Sequence, residues 1–167
     1  MKLISGNHEL TLDPTSGEEV LAEATDIFYY IDSDFRNYGL SESAPASQEI
    51  GVHVYMMTMP ATFLDIFDPT ADGCANYVDG FNISDLAVDT LCLTQAQIKN
   101  FVHKYTEWLH PQGWSTLFLF KKRENEFFVA EVDQHNDGKL RVNVHEFLDT
   151  SWTWIPEGRT RVVVPQH

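Results

Sequence analysis

The side chains that could do chemistry here are seven histidines, two cysteines and a large excess of carboxylates. His8, His53, His103, His110, His135, His145 and His167 form no HxH or HExxH arrangement, and Cys74 and Cys92 form no Cys-x-x-Cys pair. Zinc sites need such closely spaced nitrogen and sulfur donors, so these residues predict no metal centre. A reactive thiolate needs a nearby cation, whereas carboxylates surround Cys74 and Cys92 and would raise their pKa. No Gly-x-Ser-x-Gly, phosphate-binding loop or dinucleotide fingerprint is present. His145-Glu146 is an adjacent acid/base couple, and its spacing suits a polar pair at a strand edge better than a catalytic pair. These residue types point away from an enzyme and predict no cofactor.

The carboxylates carry the stronger signal. Residues 1–94 hold 16 acidic residues against Lys2 and Arg36 alone, while residues 95–167 hold nine of each sign, so the net charge of −14 lies in the first part. Ordinary surfaces intersperse both signs because like charges repel. Glu19, Glu23 and Asp26, followed by Asp65, Asp68, Asp72, Asp79, Asp85 and Asp89, read as an acidic face. Within it, the run from Asp68 to Asp79 resembles a Ca²⁺ loop of the EF-hand type, with Asp68, Thr70, Asp72 and Asp79 at ligand positions and Gly73 at the sharp turn. Ala75 at position 8 and an Asp in place of Glu at position 12 depart from that pattern, so an acidic Pro-Asp-Gly turn without metal is the expectation. Trp108, Trp114, Trp152 and Trp154, with Tyr29 and Tyr30, are candidates to rim a ligand or protein site, although ordinary packing accounts for such aromatics as well.

Hydrophobic periodicity supplies the elements that must hold these groups. Gly6-Asn7 predicts an N-terminal hairpin pairing Leu3 with Leu10. A Ser16/Glu19 capping box and apolar residues Val20, Ala24, Ile27, Ile31 and Phe35 predict a long helix ending near Gly39. Its outer face would stack Glu19, Glu23 and Asp26 with no lysine beside them. Residues 50–59 read as an interior strand, with short helices possible over 61–67 and 84–90. A second capping box, Thr94/Gln97, starts a helix over 95–110. Strands over 114–122, 126–134 and 139–147 form a β-meander turned at Glu124-Asn125 and at Asn136-Asp137-Gly138, pairing Leu117 with Val132, Leu119 with Ala130, Val132 with Val142, and Asp133 with Arg141. A last hairpin covers 152–155 and 159–164. The fold class is α+β: a mainly antiparallel sheet (N-terminal hairpin, interior strand, C-terminal meander) with two principal helices packed on one face.

Length and composition bound the rest. The 167 residues suit one domain spanning 1–167. No apolar run reaches the length of a membrane span, and the N-terminus lacks the pattern of a signal peptide. Two cysteines make no disulfide framework, which predicts a cytoplasmic setting. A polyanion repels nucleic acid and anionic membranes, so neither is an expected partner. The expected function is an acidic, non-enzymatic binding protein, of inhibitor or immunity type, covering a basic site on a partner protein. A small-molecule-binding domain or small enzyme, with a pocket between sheet and helices, is the alternative.

Overall fold

The computed structural model describes residues 1–58, 62, 63, 66, 88–111, 113–123, 126–149 and 159–166. They form a mixed α+β fold around one eight-stranded sheet. Its strands are β1 (Lys2–Leu3), β2 (Leu10–Leu12), β3 (Phe28–Ile31), β4 (Ile50–Met56), β5 (Ser115–Arg123), β6 (Glu126–Gln134), β7 (Leu140–Glu146) and β8 (Thr160–Pro165). The order across the sheet is β1-β4-β8-β5-β6-β7-β3, with β2 also on β4. Most pairs are antiparallel, but β5·β8 and β3·β7 are parallel. Two α-helices are described along their whole length, α1 (Asp34–Asn37) and α2 (Gln95–Lys104).

Both faces of the sheet are buried. On one, Phe118, Phe120, Ala130, Val132, Val142, Val144 and Val163 pack with Phe35 of α1 and with Ile98, Phe101 and Val102 of α2. On the other, Leu117, Leu119, Val129 and Val162 pack with Phe63, Ile66, Leu91 and Phe147. Helix α2 begins as expected: Thr94 Oγ1 accepts from Gln97 N and Gln97 Oε1 accepts from Thr94 N. It ends at Lys104, however, and a 3-10 turn over Thr106–Trp108 replaces the last turns predicted to reach His110.

Three sequence expectations are corrected. First, no long helix spans 17–38. A 3-10 turn (Leu21–Glu23), the strand β3 and the single turn of α1 take its place. Gly17 has φ +80° and sits against the carbonyls of Ala44 and Pro45, so no helix starts there. Leu21, Ala24, Phe28 and Phe35 still reach the core, which is why the spacing imitates a helix. Second, β1 and β2 do not pair with each other. Both lie antiparallel to β4, and residues 4–9 stand opposite only His53 and Val54, looped out as one interrupted strand. Third, β5 is shifted by one residue against β6. Arg123↔Glu126 lies in the expected register, and a bulge between Lys121 and Arg123 then moves Thr116 opposite Val132 and Phe118 opposite Ala130. Leu117 and Leu119 therefore occupy the opposite face from the one predicted. The β6–β7 register is as predicted, with Val132↔Val142, Ala130↔Val144 and Asp133↔Arg141. The strand expected over 159–164 is present as β8, and it is interior, inserted between β4 and β5. The predicted strand over 152–155 lies outside the described residues.

Candidate protein-binding face

Folding closes much of the charge segregation seen along the chain. Lys99 on α2 bridges Glu19 at 2.9 Å and Asp26 at 3.1 Å. Lys104 pairs with Asp13 at 2.8 Å, Lys121 with Asp89 at 3.3 Å and Arg123 with Glu42 at 3.5 Å. Cations from 99–123 thus neutralise acids from 13–89. The expected ridge of Glu19, Glu23 and Asp26 without a lysine is corrected accordingly, because those residues share no helix and two of them share Lys99. The hydrogen bond from Lys99 holds the Asp26 carboxyl below its ordinary value. Glu23 remains exposed. Asp65, Asp68, Asp72, Asp79 and Asp85, with Thr70 of the Ca²⁺-like loop, lie outside the described residues.

A second set of carboxylates sits inside the sheet. Side chains alternate along a strand, so Glu131 and Asp133 of β6 share the face of Leu117 and Val162 with Ser115, Arg141, Asn143 and His145. Glu131 accepts from Ser115 Oγ, and its other oxygen lies 2.8 Å from His145 Nε2. Burial alone would raise its pKa, but the bonds from His145 and Ser115 and the charges of His145 and Arg141 outweigh it and hold Glu131 below the usual carboxylate range. Asp133 receives Arg141 Nε at 2.6 Å on both oxygens. Burial nonetheless pushes its carboxyl up, and Arg141 recovers only part of that shift. Both Glu131 oxygens are engaged and only about a tenth of its side chain is exposed, so the cluster ties three strands together rather than offering a reactive group. His145 and Glu146 point to opposite faces and form no acid/base couple.

The third set lies at the β3 side of the sheet. Asp32 N donates to Val142 O and carries the chain from β3 into α1, where Tyr38 packs its ring on Phe128 at 5.4 Å. Phe128 in turn lies opposite Glu146. Burial first, and then the charges of Glu146, Asp34, Asp32 and Asp149, push the Tyr38 phenol above its ordinary pKa. Four carboxylates from two segments more than a hundred residues apart therefore act on one phenol. Among the described residues no ion pair engages Asp32, Asp34 or Glu146. The most exposed large apolar side chains of the described residues lie at two separate places near this set: Tyr29 (56%) and Tyr30 (47%) on the terminal strand β3, with the Lys139 ammonium 5.8 Å from the centre of the Tyr29 ring and Arg141 opposite Tyr30, and Leu148 (72%) just after β7. Carboxylates flanking exposed aromatic and aliphatic side chains make a surface suited to a cationic protein partner.

No family model, curated protein or solved structure matches the chain. Among the described residues no helix is long and apolar enough to cross a membrane, and no group of three or more His, Cys, Asp or Glu side chains is placed to hold a metal ion. Burial, reinforced by Asp89, pushes the Cys92 thiol up to about 12 against the opposing pull of Lys121. Cys74 lies outside the described residues. Of the predicted aromatic rim, Trp108 is half-buried against the core with His8 at its edge, and Trp114 lies under Arg159 at 4.5 Å. Trp152 and Trp154 lie outside the described residues. Sequence reasoning found Tyr29 and Tyr30 but put them on a helix, and it missed Asp32, Asp34, Glu146 and Asp149 as a group. The β-branched and aromatic run from Ile27 to Ile31 was the available signal for a strand there.

Proposed function

We propose that the chain is an acidic, non-enzymatic binding protein that covers a basic site on a partner protein, in the manner of an inhibitor or immunity protein. The observation that carries this reading is that no ion pair engages Asp32, Asp34 or Glu146 among the described residues, while Tyr30 on β3 precedes Asp32 and Leu148 follows Glu146, both exposed. Carboxylates there would occupy the places of phosphates on the partner and steer it in, while the tyrosines supply contact area at small entropic cost. The test starts from a source-cell extract passed over the immobilised chain at low ionic strength. The recovered protein is then purified and titrated calorimetrically. A basic partner with affinity at least about tenfold weaker at about 200 mM than at about 20 mM salt supports the reading. A saturable partner of neutral or acidic character whose affinity ignores salt contradicts it.

A small-molecule-binding domain or small enzyme is the second reading. One observation favours it: a cleft of about 250 Å³ between residues 39–45, the start of α2 and Lys121, Lys122 and Arg123. Those cations already have partners in Asp89, the Tyr38 carbonyl and Glu42. That leaves the cleft fewer polar groups free to orient a ligand.

A further inference from the structure

We propose that the cavity at the end of the β6–β7 pair receives one arginine side chain of the basic partner, an inference that deepens the binding reading above and rests on it. The cavity measures about 450 Å³ and is walled by Phe127, Phe128, Phe147 and Leu148, with Glu126 and Glu146 also lining it. Phe127 and Phe147 meet edge to face at 5.9 Å, and Phe147 N donates to Phe127 O, so these walls are tied together across the strand end. Asp149 N donates to Glu146 O and closes the turn that carries Leu148.

The occupant follows from the chemistry of the lining. An anion meets Glu126 and Glu146, so it is repelled. A purely apolar group fits the walls but gains nothing from the two carboxylates. A long cationic side chain uses both, its stem against the rings and its head toward the acids. Arginine fits better than lysine, because a planar guanidinium stacks on aromatic faces and bonds carboxylates with a fork of donors. The cation near this lining is Lys122, whose ammonium lies 3.8 Å from Glu126 and donates to Tyr38 O. It faces two lining carboxylates, Glu126 and Glu146, so the negative sign prevails. A second copy of this chain brings another −14 and is disfavoured at this surface.

A set of capped pentapeptides tests the proposal, each with one central residue between glycine pairs: arginine, lysine, citrulline or norleucine. Binding is followed by NMR shifts of the Leu148 methyls and the Phe127 and Phe147 rings. The arginine peptide should move these signals and bind about tenfold more tightly than citrulline, which keeps the shape but lacks the charge, as a charge-assisted bond implies. Glu146→Gln should erase that preference, and Leu148→Ser should weaken all four peptides. Both side chains lie at the surface, so both variants should fold as the parent does. Citrulline or norleucine binding as well as arginine, or shifts confined to other residues, would overturn the proposal. A partner that binds with full salt sensitivity and is indifferent to Leu148→Ser would remove the pocket while leaving the charge reading in place.

Discussion

Two sets of carboxylates lie within a few residues of each other on β6 and β7, and the fold treats them in opposite ways. Glu131 and Asp133 face the inside of the sheet, where Ser115, His145 and Arg141 meet every oxygen. Glu146 and Asp149 lie at the end of the same hairpin and act with Asp32 and Asp34 on the Tyr38 phenol, with no ion pair to Asp32, Asp34 or Glu146 among the described residues. Glu19 and Asp26 stand between these extremes, exposed but sharing Lys99. The contrast separates charge that the fold uses from charge that it only tolerates. A buried carboxylate must be matched or the structure is lost. Asp32 accepts from Asp34 N and Asp34 from Asn37 Nδ2, neither of them a cation, so the repulsion they share with Glu146 costs the fold a little.

Substitutions can break that contrast, and the largest effect belongs inside the sheet. Glu131→Ala leaves His145 and Ser115 without their acceptor in a buried place, and should cost about 3 kcal/mol in a urea titration. The same residue sets a pH dependence. Its folded pKa is depressed, so its contribution is present above the unfolded value of about 4.3 and is lost as pH falls through the folded one. Asp133 is raised and acts with the opposite sign: its ionised form is penalised in the fold, and the penalty is relieved as pH falls through its folded value. Glu131→Gln should therefore make the acid limb of stability shallower below about pH 4, as thermal midpoints against pH will show.

Intermediate effects belong to Lys99. Lys99→Met leaves Glu19 and Asp26 facing each other with no cation, and should cost about 1 kcal/mol, little because both carboxylates are more than half exposed. The smallest change in stability belongs to the rim. Asp32→Asn, Asp34→Asn and Glu146→Gln together should leave the urea midpoint unchanged or raise stability by up to about 0.5 kcal/mol, because the repulsion is removed while the new amide oxygens can still accept from Asp34 N and Asn37 Nδ2. A loss of more than about 1 kcal/mol would place this cluster with Glu131 among the charges the fold needs.

Local patterns made the meander legible and left the first part of the chain ambiguous. Asn136-Asp137-Gly138 fixes the β6–β7 register because Gly138, at φ +83°, suits the left-handed position of that turn. The Thr94/Gln97 box marks the start of α2 for a similarly local reason. One unpaired residue at Lys122 was enough to invert the faces of β5, and nothing in the alternation of residues 115–123 announces it. Residues 17–38 were misread because β3 is held by β7, more than a hundred residues later, through Phe28↔Leu140 and Ile31↔Val142. Helical spacing among Val20, Ala24, Ile31 and Phe35 cannot reveal such a partner. The proposed binding face shares that fate. Its acids come from both ends of the chain, so charge counted along the sequence pointed to an acidic surface but selected Glu19 and Asp26, which Lys99 neutralises.

The most direct test of the central claim is the association rate with the basic partner as a function of ionic strength, measured by stopped flow. Parent protein is compared with the Asp32→Asn, Asp34→Asn, Glu146→Gln variant at matched stability. The parent rate should fall by about tenfold or more between about 10 and about 200 mM salt, and the variant should associate more slowly with a flatter dependence. Equal rates and equal salt slopes for the two proteins would contradict the claim that this rim exists to meet a cationic partner.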